Sequence, residues 1–249
     1  PDTPRMKPVS PITLAGRAVG DGQPVYVICE AGVTNYGEIA LARQQLDVAV
    51  AAKCDAVKYQ AWKTENLVSK KVSARLEGEL GYNWFDRLKY KELADDELRQ
   101  LRDEAAKNGM TFFATPHDAW AVDFLDKILN VPFFKIGSGE SNNPEFLRDV
   151  GSRGKPVLIS FGLQSDQEIL EAVSILREAG ARDIGVFHCV SQYPTEPDNA
   201  NLPRIAHLRE LLGLPVGISD HTRGFHAPLA AVALGACMVE KHLTFDKAD

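Results

Sequence analysis

Residues 157–188 run Val157-Leu158-Ile159-Ser160, then an amphipathic stretch over Asp166–Ala179 that stops at Gly180, then Ile184-Gly185-Val186-Phe187-His188. A short apolar run, a helical pattern and a second apolar run predict a strand, a helix and a strand, the βαβ unit of a parallel sheet. The alternation continues in both directions. Strands are expected at Val25–Cys29, Ala56–Tyr59, Thr111–Ala114, Phe133–Ile136, Val157–Ser160, Ile184–His188, Val216–Ser219 and Met238–Lys241. Amphipathic helices are expected at Glu38–Lys53, Asp95–Lys107, Asp118–Leu129 and Ala227–Gly235 as well, several closed by Gly or Asn as at Asn108-Gly109. With no linker or composition break, the pattern predicts one α/β domain over residues 1–249, a (β/α)8 TIM barrel. The segment Trp62–Leu93 is too long for a plain connection and is expected to be a functional loop with a short helix.

The bulk composition narrows the partners. At 249 residues, 45% hydrophobic and 25% charged, the chain has the size and make-up of a single barrel, and its net charge of -6 offers no general attraction to nucleic acid or an anionic membrane. The expected partner is a small molecule. Cys29, Cys54, Cys189 and Cys237 form no C-x-x-C pair and read as reduced thiols of a cytoplasmic protein. No apolar run approaches the ~20 residues of a membrane span, and the start, Pro1-Asp2-Thr3-Pro4-Arg5, lacks the apolar centre of a signal peptide. The last residues, Phe245 to Asp249, carry no helix stop or turn signal, so the barrel is expected to be cut from a chain that continues C-terminally.

Polar residues crowd the same end of every expected strand: Glu30; Lys58 and Gln60; Thr115; Lys135 with Ser138 and Glu140; Ser160; His188 with Ser191 and Tyr193; Ser219 with His221; Lys241 and His242. In a parallel barrel the carboxyl ends of the strands open on one face, so these residues are expected to converge on a single pocket. Lys58 and Lys135 supply point charge and the hydroxyls of Thr115, Ser138, Ser160 and Ser219 supply directional donors, which is the chemistry a phosphate dianion needs. The alternative for the lysines is that they snorkel at the rim. His221 and His242 follow consecutive strands beside Asp220 and Glu240, a pattern suited to a divalent transition metal whose remaining positions go to water and substrate. Hydrogen-bonded structural histidines are the alternative there. His117, His188, His207 and His226 have weaker cases, and His207 is expected on a helix surface.

Six motifs then carry a resemblance: Ile28-Cys29-Glu30-Ala31-Gly32, Val57-Lys58-Tyr59-Gln60, Phe134-Lys135-Ile136-Gly137-Ser138-Gly139-Glu140, His188-Cys189-Val190-Ser191-Gln192-Tyr193-Pro194, Gly217-Ile218-Ser219-Asp220-His221-Thr222 and Val239-Glu240-Lys241-His242. In this order and spacing the chain, from Gly16 to Asp246, resembles the N-acetylneuraminate (sialic acid) synthase family, which includes legionaminic, pseudaminic and spore-coat polysaccharide synthases. The resemblance implies a transferase of carbohydrate biosynthesis that condenses phosphoenolpyruvate with an N-acyl-mannosamine-type amino sugar. It implies phosphoenolpyruvate contacts at Lys58, Thr115, Lys135, Ser138, Ser160, Ser191, Tyr193 and Ser219. It also implies a manganese-type ion (Mn2+, with Mg2+ or Co2+ as substitutes) on His221 and His242, and places Glu30, Gln60 and Glu140 at the reacting centre or the sugar. In the family the enol carbon attacks the sugar aldehyde, water adds to the resulting oxocarbenium, and phosphate leaves with C–O cleavage.

Two departures bear on which sugar is accepted: Thr34-Asn35 stands where the family usually has Asn-His, and Ser160-Phe161-Gly162-Leu163 where it has Ser-Thr-Gly-Met. Family members continue into a further domain that reaches the partner subunit, which implies a homodimer. The competing readings are another phosphoenolpyruvate-dependent sugar-acid synthase, a metal-dependent aldolase barrel, and a non-catalytic regulatory barrel.

Overall fold

The computed structural model describes residues 8–246, so the sequence signals at Pro1–Arg5 and at Lys247–Asp249 lie outside the described residues. The first element is one the strand pattern did not announce. Strands β1 (Ile12–Leu14) and β2 (Arg17–Val19) form an antiparallel hairpin in which Ile12 faces Val19 and Leu14 faces Arg17. The two residues between them, Ala15 and Gly16, both have positive φ (48° and 81°), the backbone shape that lets a two-residue turn follow the twist of its strands. Strands of three residues are too short to show an alternation.

Eight longer-range strands follow: β3 (Tyr26–Glu30), β4 (Ala56–Ala61), β5 (Thr111–Pro116), β6 (Phe134–Ile136), β7 (Val157–Phe161), β8 (Ile184–Cys189), β9 (Val216–Asp220) and β10 (Met238–His242). They alternate with helices α1 (Ile39–Ala51), α2 (Thr64–Leu67), α3 (Lys70–Leu80), α4 (Trp84–Lys91), α5 (Asp95–Lys107), α6 (Ala119–Asp123), α7 (Pro144–Gly151), α8 (Asp166–Ala179), α9 (Arg204–Leu212) and α10 (His226–Ala233). The sheet order is β5-β4-β3-β10-β9-β8-β7-β6, and every strand pair with a described register in it is parallel. The fold class is the (β/α)8 barrel. All eight expected strands are present, most running one or two residues further toward their carboxyl ends.

The helices depart from expectation in three places. Trp62–Leu93 holds three helices rather than one, pinned by Glu92, whose carboxylate accepts from the Thr64 backbone N–H (3.0 Å) and hydroxyl (2.8 Å). Asp118–Leu129 is not one α-helix: after α6 the chain widens into a π-helical turn over Phe124–Ile128. Helix α7 was not anticipated, whereas α9 was foreseen only as the helix carrying His207. The first did carry a start signal, because Asn143 caps it through Phe146 N–H and Pro144 takes a position where no N–H is needed. Helix α8 matches its expected span because Ser165 and Glu168 form a reciprocal capping box and Gly180 ends it.

The described residues fall into two compact units, 8–28 with 132–242 and 29–131 with 243–246. In the first, one strand face is packed so closely that two positions must be glycine. A Cβ on Gly185 would stand 2.6 Å from Leu158 Cδ2 and 3.0 Å from both Ile12 Cδ1 and Met238 Cε, so the hairpin reaches this face through Ile12. A Cβ on Gly217 would stand 2.6 Å from the Met238 carbonyl oxygen and 2.8 Å from the Phe187 ring. Phe161, where a hydroxyl residue stands in the resembled family, is buried on β7. His188 is enclosed too, its Nε2–H donating to the Ala200 carbonyl at 2.8 Å. His207 lies exposed on α9, paired with Asp166 as a surface histidine. All four cysteines are free thiols, and no described helix is long and apolar enough to cross a membrane.

Two outcomes follow from this packing. Gly217→Ala should destabilise the fold by about 1–3 kcal/mol, since a backbone carbonyl cannot yield to the new methyl as a side chain could; urea unfolding checks it. Burial pushes the His188 imidazole below its ordinary value, with the Ala200 carbonyl opposing and the Arg204 charge adding to the shift. The unfolded chain therefore takes up this proton near pH ~6.5 while the folded chain still resists it, so stability falls as pH drops from there to the lower folded-state value and then levels. Thermal melts of His188→Asn should show a flatter dependence on pH across that window than the parent.

Candidate active site

Within residues 29–131, strands β3, β4 and β5 carry a closed hydrogen-bonded cluster. Lys58 and Gln60 are two residues apart on β4 and so share one face, and Gln60 is in register with Thr115 on β5. Lys58 Nζ lies 2.7 Å from Glu30 Oε2 and donates to Thr115 Oγ1 at 2.8 Å, while Gln60 Nε2 donates to Glu30 Oε1 at 2.9 Å. Glu30, Lys58 and Thr115 are all buried. Lys58 therefore does not snorkel at a rim. It is held as a charge inside the protein by a carboxylate.

The second unit repeats the device. Lys135 on β6 is 2% exposed and its Nζ is 3.5 Å from Glu240 Oε1, which also accepts from the Ser219 hydroxyl at 2.8 Å. Registers place Lys135 beside Leu158, Ser160 beside Phe187, Cys189 beside Ser219 and Ser219 beside Glu240. Because alternate residues share a face, Lys135, Ser160, Phe187, Cys189, Ser219, Glu240 and His242 all project from the same side of this unit's strands. The Lys135 ammonium lies over the Phe187 ring at 5.4 Å, and the Ser160 hydroxyl, 3% exposed, has no hydrogen-bond partner. A buried hydroxyl without a partner costs roughly 1–3 kcal/mol, which a ligand oxygen would recover. Ser138, Cys189 and Ser191 gather around Gly162, where an added Cβ would lie 2.5–3.0 Å from their side-chain heteroatoms.

His221 and His242 come together, ring centroids 5.4 Å apart, and Tyr193 lies against His221 at 4.0 Å and His242 at 5.9 Å. The carboxylates expected to orient them are engaged elsewhere. Asp220 accepts from Lys241 (2.5 Å) and Thr222 (3.1 Å), and Glu240 is taken by Ser219 and Lys135. The Val190 carbonyl takes their place, accepting from His221 Nδ1–H at 2.9 Å, and in the neutral ring this leaves the lone pair on Nε2. Burial pushes the His221 imidazole below its ordinary value, opposed by that carbonyl and helped by nearby His242, so the neutral form dominates at neutral pH. Two imidazoles this close fit a shared ion, given metal–nitrogen bonds of about 2.0–2.1 Å. Among the described residues no group of three or more His, Cys, Asp or Glu is arranged to hold a metal.

Glu140 stands half-exposed in the turn between β6 and α7, its backbone N–H bonded to the Gly137 carbonyl at 3.3 Å. Ser191 and Tyr193 lie exposed in the segment after β8. Thr34-Asn35 belongs to the framework. Asn35 is buried, donating to the Gly32 carbonyl and accepting from Gly37 N–H, and buried Gln45 of α1 donates to Thr34 Oγ1 and the Ala31 carbonyl. One residue of the first cluster had only a weak case in the sequence. His117 Nε2 lies 3.2 Å from Gln60 Oε1, and the Trp62 ring meets it edge-on. Its position two residues beyond Thr115, just past the end of β5, was the available signal.

With this geometry in view, relatives can be compared. A model of the NeuB family matches residues 45–249. An uncharacterized protein of Methanocaldococcus jannaschii is 40% identical over 236 residues, covering 95% of this chain and 67% of its own. The N,N'-diacetyllegionaminic acid synthase of Campylobacter jejuni is 36% identical over 227 residues, covering 89% of this chain and 68% of its own. The crystal structure of the N-acetylneuraminic acid (sialic acid) synthetase of Leptospira borgpetersenii, in complex with citrate, superposes with a TM-score of 0.88 at 33% identity, covering 98% of this chain and 81% of that one. The chain spans about two thirds of the length of the curated relatives it matches. On these matches the chain belongs to the NeuB family.

Proposed function

We propose that this chain is the catalytic barrel of a nonulosonic acid synthase, a carbon–carbon bond-forming transferase that condenses phosphoenolpyruvate with an N-acyl-mannosamine-type amino sugar and releases phosphate. The observation that carries the reading is the pair of buried lysines, each held charged by a carboxylate, in a chain whose relatives include named legionaminic acid and N-acetylneuraminate-9-phosphate synthases. Lys58 and Lys135 would hold the anionic groups of phosphoenolpyruvate, with Thr115, Ser138, Ser160, Ser191, Tyr193 and Ser219 supplying hydroxyls. His221 and His242 would hold a divalent ion, Mn2+ in first place, which when bound supplies Lewis acidity to the sugar carbonyl. Gln60 and Glu140 would position the sugar and the attacking water. Glu30 would stabilise positive charge that develops at the former enol carbon and accept a proton from the water that adds there. In the cell we place the protein in the cytoplasm, as a homodimer.

The test is incubation of the protein with phosphoenolpyruvate, Mn2+ and a panel of N-acyl amino sugars, following phosphate release and the mass of the acid formed. Phosphate release that needs no sugar, or no new acid with any of them, rejects the reading. Calorimetry should find one Mn2+ per barrel in the parent and none in His221→Ala or His242→Ala, because one remaining imidazole leaves a mostly aqueous ion. Lys135→Gln should weaken phosphoenolpyruvate binding by roughly 1.5–3 kcal/mol, one charged hydrogen bond. Paired with Glu240→Gln, the same substitution separates loss of the ligand contact from the strain of an unpaired buried acid.

Glu30→Gln keeps the shape of the first cluster and removes its negative charge. Turnover should fall about 10²-fold or more, while phosphoenolpyruvate binds as well or better, since Lys58 loses a competing anion. Near-parental kcat would remove Glu30 from the mechanism.

A further inference from the structure

The side-chain amide oxygen of Gln164 sits where three donors converge. It accepts from Gly162 N–H at 3.1 Å, from Leu163 N–H at 3.1 Å and from the Ser138 hydroxyl at 3.3 Å. The amide NH2 returns to the Ser138 carbonyl at 3.1 Å, and Gly162 N–H is shared with Ser138 Oγ at 2.9 Å. Two backbone amides and a hydroxyl aimed at one oxygen form an oxyanion hole, a place that stabilises negative charge better than a neutral carbonyl requires. Burial does not force the arrangement. Gln164 is half-exposed and Leu163 is 82% exposed, so water could satisfy these groups.

Two further observations point to a ligand. Ser160, near the end of β7 and two residues before Gly162, is buried with a hydroxyl that no protein group satisfies. Gly162 itself has no room for a side chain, since a Cβ would meet Ser191 Oγ at 2.5 Å, Cys189 Sγ at 2.9 Å and Ser138 Oγ at 3.0 Å. The glycine lets hydroxyls close on the backbone donors.

We propose that Gln164 is an internal stand-in for an anionic ligand oxygen, holding Gly162 N–H, Leu163 N–H and the Ser138 hydroxyl in line until a phosphate or carboxylate oxygen displaces it. The inference rests on the reading that Ser138 and Ser160 belong to the phosphoenolpyruvate site. Displacement costs the ligand the bonds that Gln164 already makes, so the side chain sets affinity by competition. Removing the competitor tightens binding; charging it weakens binding.

The experiment is calorimetric titration of the parent, Gln164→Ala and Gln164→Glu with phosphoenolpyruvate, and separately with inorganic phosphate and pyruvate. Thermal melts first establish that the variants are folded. Gln164→Ala should bind phosphoenolpyruvate about 3–10-fold more tightly, the range of one or two ordinary hydrogen bonds. Gln164→Glu should bind it at least about 10-fold more weakly, because a carboxylate holds the donors harder and repels the ligand. If Gln164→Ala does not fold, Gln164→Ser carries the same forecast, its hydroxyl being too short to reach the donors as the amide does. Whichever of phosphate or pyruvate follows the same order of affinities identifies the displacing group. A scaffolding role for Gln164 would weaken binding in both variants and overturn the proposal while leaving the phosphoenolpyruvate reading intact. A parent that binds none of the three anions overturns both.

Discussion

A lysine enclosed by protein keeps its charge at a cost that a neighbouring carboxylate must offset. Lys58 with Glu30, and Lys135 with Glu240, meet that condition, each within one compact unit and each with a hydroxyl from an adjoining strand adding a hydrogen bond. Breaking such a pair typically costs ~3–5 kcal/mol, because the remaining partner is left charged and dry. The arrangement does little for stability compared with well-packed apolar side chains. What it provides is a fixed positive charge in a place where an exposed lysine would be mobile and screened by solvent.

The strand geometry makes these placements possible. Parallel pairing puts residues of equal register side by side, and the two-residue period sends alternate residues to one face, so Lys135, Ser160, Ser219 and Glu240 share a face although they come from four strands. Further along the same face the polar groups give way to packing. Gly185 and Gly217 are filled over by Leu158, Phe187 and Met238, and Ile12 arrives from the N-terminal hairpin. The close packing holds the strands in register, and the register positions the charges.

The histidine pair depends on a different contact. Which imidazole nitrogen is available to an ion is settled by what the other one bonds, and for His221 that partner is the Val190 carbonyl. A backbone acceptor fixes the tautomer without bringing a second charge, whereas a carboxylate would also make the ring more basic. Asp220 and Glu240 are thereby left for Lys241 and Lys135. In both units the acids adjoining the expected site residues are occupied in holding lysines.

The alternation of strand and helix, the class of fold and the row of polar residues at the strand ends were legible in the chain itself. Each rests on local periodicity and on backbone preferences that act over a few residues, as in Val157–Ser160 followed by Asp166–Ala179 and Gly180. Elements shorter than a period escaped, as did the hairpin at Ile12–Val19, and the π-helical turn at Phe124–Ile128 was invisible because its residues fit an α-helix equally well. The identity of the partners belonged to the tertiary structure. That Lys58 meets Glu30, that Asn35 serves the framework through Gln45, that His117 reaches Gln60 and that Gln164 turns back onto Ser138 are matters of register and side-chain direction between segments distant in the chain. Sequence determined which chemical groups stand at the strand ends; only packing decided which of them touch, because hydrogen bonds and ion pairs form over about 3 Å and local periodicity carries no information at that distance about a neighbour tens of residues away.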